Sequence, residues 1–296
     1  WNANNFLIQN KCNLKNAKKL PKLKVNINKW IYFELLETSN LIKKNIEDYR
    51  FDEAAKNAYH FAWHKYCDWY LELSKTILFS DNLKAKNEVK EVSAFVFRQI
   101  LIMLHPFIPF VTEKIWLTNK FDNKNKNFLM LSNWISGKSK KDSDHKQVQQ
   151  IIDIISEIRS FKNELNVSPG SFIDISINSI KKNNQNFMIN NEIIIKKLGR
   201  INNFFKKDQD KPAASLIISG DLFKIYFDEN VDLNAIKENL LKRQNKYQEE
   251  MDKISQRLSN KGFVQRAPKD IVQQEKTNYS NLKNDIKKIS LTIESL

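Results

Sequence analysis

The chain has 296 residues, with 49 Lys and Arg against 34 Asp and Glu, giving a net charge of +15 at neutral pH. A hydrophobic share of 41% with 19 Phe and 6 Trp supports packed cores and excludes wholesale disorder, and the length fits two or three domains. No uninterrupted apolar run of about 18 residues exists, which excludes a spanning helix, and two cysteines without a CxxC exclude a disulfide framework and a Cys-rich zinc site.

The opening residues Trp1-Asn2-Ala3-Asn4-Asn5 have neither the charge nor the apolar run of a signal peptide. With Cys12 and Cys67 as the only cysteines, a reducing, cytoplasmic compartment is expected. The chain also lacks an initiating Met, which raises the expectation that it is part of a longer one.

Residues 1–135 read as a helical bundle. From Asn28 to Tyr49 the apolar positions Trp30, Phe33, Leu36 and Leu41 recur with helical period. Phe51-Asp52-Glu53 opens a long helix whose stripe runs through Ala55, Tyr59, Ala62, Tyr66, Trp69, Leu73 and Ile77, with acids placed to suit the positive end of the helix dipole. A third helix is expected from about Lys86 to Leu104. Pro106 and Pro109 stop it, since each removes an N–H and crowds the turn before it. A short helix over about Phe110 to Leu117 follows, then one extended stretch, Asn127–Leu131. Residues 136–146 are polar and charged and read as a linker.

Val148 to Leu165 is again helical, with Ile151, Ile155, Ile158 and Phe161 on one face. Phe172 to Asn178 alternates, placing Ile173, Ile175 and Ile177 inward and Asp174 and Ser176 toward solvent, as a half-buried strand does. A short helix is expected over Asn191–Leu198. Strands over Ala214–Ser219 and Leu222–Phe227 flank Gly220-Asp221, a hairpin signal. Residues 147–230 thus form a small α+β unit. Over 232–296, Ile236, Leu240, Tyr247, Met251, Ile254 and Leu258 form one heptad-like run. After Asn260-Lys261-Gly262, Val272, Tyr279, Leu282, Ile286, Ile289 and Ile293 form another. An antiparallel two-helix arm of on the order of 40 Å follows from 1.5 Å per residue. The fold class is mainly α: bundle, small α+β unit, two-helix arm.

The charge is unevenly spread, at +8 over residues 1–135, +3 over 136–230 and +4 over 231–296. A basic bundle joined to a basic arm suits a long anionic partner, with nucleic acid the first candidate. The plainer explanation is composition, because Lys, Asn and Ile are abundant throughout.

Signs of catalysis are weak. His60, His64 and Cys67 share a helix face at metal-ligand spacing, but no HExxH glutamate accompanies them, and core or surface histidines are the simpler reading. Gly137-Lys138-Ser139 lacks the upstream glycine and strand of a P-loop, and no GxSxG occurs. The aromatic run from Tyr59 to Tyr70 reads first as bundle core and second as a stacking surface.

Two phrases are more particular. Trp63-His64-Lys65-Tyr66-Cys67-Asp68-Trp69-Tyr70-Leu71-Glu72-Leu73-Ser74-Lys75 and Met103-Leu104-His105-Pro106-Phe107-Ile108-Pro109-Phe110-Val111-Thr112-Glu113 together resemble the anticodon-binding domain of class I valine–tRNA ligases. Glu157-Ile158-Arg159 leading to Val167-Ser168-Pro169-Gly170 is similar to that family's linker unit. Arg257-Leu258-Ser259-Asn260-Lys261-Gly262-Phe263-Val264-Gln265-Arg266-Ala267-Pro268-Lys269 resembles the tip of its coiled-coil arm. Isoleucine and leucine ligases share the second phrase more loosely, and the isoleucine enzymes often end in a Cys-rich zinc module that two cysteines cannot supply.

The resemblance implies a tRNA-binding role, with valine-accepting tRNA as partner. ATP and Mg2+ would be used by a catalytic domain lying upstream, as would the editing domain, and no cofactor, metal or catalytic residue is expected in this chain. HIGH-like and KMSKS-like signatures are absent from it. A monomer without membrane association is implied. By the same resemblance Asn2, Asn5 and Phe6 would face the anticodon, with Phe6 stacking on a base and Leu71 and Glu72 closing the pocket. Asn5 stands where many relatives carry Arg, so a charge-assisted contact is expected to be missing. Arg257, Lys261, Arg266 and Lys269 would meet the outer corner of the tRNA. The rival readings are a free-standing RNA-binding or scaffolding protein, the corresponding part of an isoleucine or leucine ligase, and a metal hydrolase resting on His60 and His64.

Overall fold

The computed structural model describes residues 1–121, 128–138, 141–211, 213–227, 231–260, 262–263 and 267–296. Contacts divide the chain into two compact units, Trp1–Ile152 and Asp153–Leu296.

The first unit is all helical. It contains α1 (Asn2–Gln9), α2 (Asn26–Glu47), α3 (Phe51–His60), a π-helical stretch (Phe61–Tyr70), α4 (Leu71–Leu78), α5 (Leu83–Leu104) and α6 (Pro109–Asn119). The single helix expected from Phe51 to Ile77 is one continuous run, but its middle is widened to i→i+5 hydrogen bonding, with the Leu71 N–H returning to Tyr66 O. Trp30, Phe61, Tyr66, Tyr70, Trp116 and Phe121 are fully buried and form the centre of the bundle. Six such rings account for much of its driving force, at about 25 cal/mol per Å² of apolar surface removed from water. The expected extended stretch at Asn127–Leu131 is corrected: Asn127 lies outside the described residues, and Leu129–Leu131 is a 3-10 turn. Glu113 closes it by accepting the Leu129 N–H at 3.0 Å.

The polar segment 136–146 is only in part a connection. α7 (Ser143–Glu164) begins inside it, started by Asp142, whose Oδ1 accepts the His145 N–H at 2.8 Å. The buried His145 ring packs edge-on to Phe33, its Nε2 is 2.7 Å from Glu34 Oε1, and Asp144 pairs with Lys29. Composition reads as linker here because the first turn of a helix is polar by function: it must cap itself and pair with its neighbours.

The second unit holds a four-stranded sheet in the order β2-β1-β4-β3, built from β1 (Ile173–Ser176), β2 (Ile201–Phe205), β3 (Ala214–Ile218) and β4 (Asp221–Phe227). α8 (Lys182–Asn190) and α9 (Glu192–Gly199) make the crossover that lets β2 run parallel to β1, while β4 is antiparallel to both β1 and β3. The hairpin turn is Ser219-Gly220, one residue earlier than expected. Both residues have positive φ, 52° and 82°, the geometry whose twist matches that of the strands, and Asp221 pairs with Ile218 inside the ladder. Ser176 is also corrected from solvent-facing to buried. Its hydroxyl donates to Asp208 at 2.7 Å, and Asp208 meets Lys224 at 2.6 Å.

The hydrogen bond from Lys224, and after it that from Ser176, holds the Asp208 carboxyl below the ordinary carboxylate value. A lowered folded-state value means that the stabilisation is present above the unfolded pKa, near about 3.9, and is lost as pH falls through the folded value. Asp208→Asn is therefore expected to lower the urea midpoint between about pH 5 and 8, with the difference from the parent closing below about pH 4. A constant difference across the acid range would show that the charge of Asp208 is not what stabilises the sheet.

The arm consists of α10 (Leu233–Ser259) and α11 (Lys269–Ser295). Asp232 starts α10 by accepting the N–H groups of Asn234 and Ala235, both at 3.0 Å. Ile236, Leu240, Val272 and Ile289 are buried along the seam, and Gln244 donates to Ser290 Oγ across it at 2.7 Å. The base of α11 rests on the sheet, where Thr292 donates to Ser215 O at 3.3 Å.

Candidate nucleic-acid interface

α1 separates its asparagines by helical phase. Asn4 and Leu7 face inward, whereas Asn2 and Asn5 are exposed and Phe6 is half-buried. Asn4, only 2% exposed, accepts a 2.6 Å bond from Asn119 of α6, whose amide also donates to Ile115 O at 2.9 Å. This buried amide pair fixes α1 on the bundle and so sets which way Asn2 and Asn5 point. Sequence reasoning missed it, because nothing distinguishes Asn4 from its neighbours until its partner 115 residues later is known.

Phe6 and Glu72 are brought together by a residue that the sequence reading did not single out. Lys75 Nζ lies 5.8 Å from the Phe6 ring centroid and is paired with Glu72, three residues earlier on the same helix. Phe6, Lys75 and Glu72 thus form one partly exposed group of a ring, an ammonium and a carboxylate. Leu71 does not join it. At 5% exposed it is a core residue, and its expected place in the pocket wall is corrected to a supporting one beneath the surface.

The aromatic run divides by side. Phe61, Tyr66 and Tyr70 are core, while Tyr59 and Trp63 stack on the surface with ring centroids 6.0 Å apart. Beside them His60 and His64 sit with ring centroids 5.0 Å apart, and His64 Nδ1 is 3.1 Å from Asp68 Oδ2. Burial, then the neighbouring His64 and Lys65, pulls the His60 pKa down. Among the described residues no group of three or more His, Cys, Asp or Glu is placed to hold a metal ion. None of the helices among them is long and apolar enough to cross a membrane.

At the far end of the arm, Arg257 in the last turn of α10 reaches across to Glu275 of α11 at 3.1 Å. Its charge is partly engaged in holding the two helices in register. Lys269, exposed at the first turn of α11, places a cation at the positive end of that helix's dipole, where it is unfavourable for the helix. Asn260 organises the turn by accepting the Gly262 N–H at 2.9 Å. Lys261 and Arg266 lie outside the described residues.

Residues 28–177 match the family model described as the anticodon-binding domain of tRNA ligase, and residues 232–296 match the valyl tRNA synthetase tRNA binding arm. Over its full length the chain is 69% identical to a valine–tRNA ligase of Pelagibacter ubique, and it covers 34% of that protein. It is 33% identical over its full length to the valine–tRNA ligase of Bartonella quintana and 32% to that of Zymomonas mobilis, covering 33% and 34% of each. The chain therefore spans about a third of the length of the curated relatives it matches. Asn2, Asn5 and Phe6 precede the matched anticodon-binding stretch but fall within all three alignments.

Proposed function

Because the chain belongs to the family of tRNA-ligase anticodon-binding domains, we propose that it is the tRNA-gripping part of a valine–tRNA ligase, whose bundle meets the anticodon and whose arm meets the outer corner of the tRNA. What supports this reading is the occurrence in one chain, in this order, of a matched helical bundle and a matched two-helix arm, both carrying excess positive charge. Asn2 and Asn5 offer amides to base edges, Phe6 offers a ring to a base, and Glu72 with Lys75 shapes the polar side of the same group. Leu71 holds that group from beneath.

At the arm, Lys269 presents an exposed charge to the RNA backbone, Arg257 does so while tied to Glu275, and Lys261 and Arg266 add positive charge to the same stretch of sequence. The ligase reaction itself, valine activation with ATP and Mg2+ and transfer to tRNA, is assigned to another part of the longer protein. This part needs no cofactor or metal of its own and acts as a monomer in the cytoplasm.

Binding to tRNA carrying a valine anticodon, compared with tRNA altered at the anticodon bases, tests the proposal directly. The valine tRNA is expected to bind more tightly, with log affinity falling linearly against log salt. Equal binding would reject anticodon reading, and no binding at low salt would reject the RNA role altogether. In the same titration Arg266→Ala should weaken binding modestly and lower the salt slope by up to about one. An unchanged slope would remove Arg266 from the interface.

A further inference from the structure

The second unit contains a positively charged pocket of about 330 Å³ with no part in the two contact regions described above. Its wall is Arg159, Lys162 and Asn163 of α7, then Pro169, and the end of α9 through Arg200; none of the seven lining residues is acidic. Arg159 and Lys162 share a helix face at i,i+3 spacing. Arg159 donates through Nε and Nη2 to Leu198 O, at 3.1 and 2.9 Å, and so closes the C-terminus of α9.

Lys162 is 2% exposed, and its ammonium donates to Ser171 O and, at 3.5 Å, to Pro169 O. Carbonyl oxygens satisfy these donors without cancelling a full positive charge. Arg200 follows α9 in the left-handed conformation, with φ of 55°, and its guanidinium is 5.6 Å from the Phe172 ring centroid. An aromatic face steadies the side chain while leaving its charge in place. Burial first, then the charges of Arg200 and Arg159, lowers the pKa of Lys162.

Arg159 and Lys162 serve the fold by fastening the α9 terminus and the 169–171 turn. Arg200 has no such duty, yet it places a third cation at the mouth, where like charges repel. The geometry points to this pocket as a phosphate site that receives one backbone phosphate of the bound RNA, with Arg200 making direct contact and Lys162 and Arg159 supplying the field. The inference rests on the RNA-binding reading above, and it adds a third contact region between the bundle and the arm in sequence.

Arg200→Asn is the test variant, because Asn tolerates the left-handed backbone while removing the guanidinium, with its charge and its contact to Phe172. Against valine tRNA at salt from about 50 to 200 mM, it should bind roughly three- to tenfold more weakly, with a salt slope lower by about one. Arg200→Lys should restore most of the slope, and the melting temperature of both variants should match the parent. If the parent binds tRNA and Arg200→Asn keeps the same affinity and slope, the phosphate site is rejected while the RNA role stands. If the parent ignores tRNA, the RNA role itself fails. If millimolar inorganic phosphate raises the melting temperature of the parent but not of Arg200→Asn while tRNA binding is unaltered, the pocket takes a free anion, which overturns its assignment to RNA.

Discussion

Asn28→Ala is expected to destabilise the helical bundle by about 2–4 kcal/mol, read as a lower urea midpoint at unchanged slope. Asn28 is fully buried near the start of α2 and joins three elements. Its Oδ1 accepts the Tyr70 hydroxyl at 2.7 Å, and its Nδ2 donates to Glu88 Oε1 of α5 at 3.0 Å. The same carboxylate oxygen accepts the Lys24 and Val25 N–H groups, at 2.8 and 2.9 Å, at the end of α2 that lacks a side-chain cap of its own. Burial drives the Tyr70 phenol far above its ordinary pKa, so it stays a neutral donor and needs an acceptor.

Truncating Asn28 leaves only the 3.4 Å approach of Ser93 Oγ, with the hydroxyl sealed from water. An orphaned buried group costs about 1–3 kcal/mol, to which a small cavity adds. Tyr70→Phe should cost less, since Asn28 keeps its bond to Glu88. The double variant should fall short of the sum by at least about 0.5 kcal/mol, because both singles remove the same bond. Strict additivity, or an Asn28→Ala cost below that figure, would show that the network does not hold the bundle.

Phe6→Ala is expected to weaken binding of valine tRNA by about 1–3 kcal/mol, the range for losing one stacked base. Phe6 is half-buried and also touches Lys75, so the alanine variant alone confuses packing with stacking. Phe6→Leu separates them. It keeps an apolar side chain on α1 but has no ring face, so its melting temperature should stay near the parent's while its tRNA affinity falls nearly as far. Against a tRNA lacking the anticodon base, Phe6→Leu and the parent should bind alike. A loss of equal size on both RNAs would place Phe6 in the core and away from the base.

Where apolar spacing is regular the sequence already reveals the fold. α2, α5 and both arm helices lie within a few residues of their expected limits, because each buries one stripe. β2 was missed because Ile201-Asn202-Asn203-Phe204-Phe205 does not alternate; Asp174 supports it from the side, accepting both the Asn203 N–H and its amide, at 3.1 and 3.0 Å. α8 was missed because Lys182-Asn183-Asn184-Gln185-Asn186 is a polar run whose helix is held by partners distant in sequence, such as Asp221 for Asn184. At the candidate interface, exposed amides and a ring at the chain's start were legible by resemblance. Neither Asn4 nor Lys75 was, since each is defined by a contact that only folding creates.

The widened stretch from Phe61 to Tyr70 makes residue number a structural variable in its own right. A π turn spends more residues per unit height than an α turn, so this segment holds surplus chain within an unbroken helix. Deleting any one residue between Ala62 and Asp68 would let the coil tighten without severing it. Everything after the deletion would then keep its phase, with Leu73, Ser74 and Leu78 still on the buried face they now occupy. Dropping a residue from the α-helical turns on either side, which hold no such surplus, would instead turn everything beyond it by about 100°.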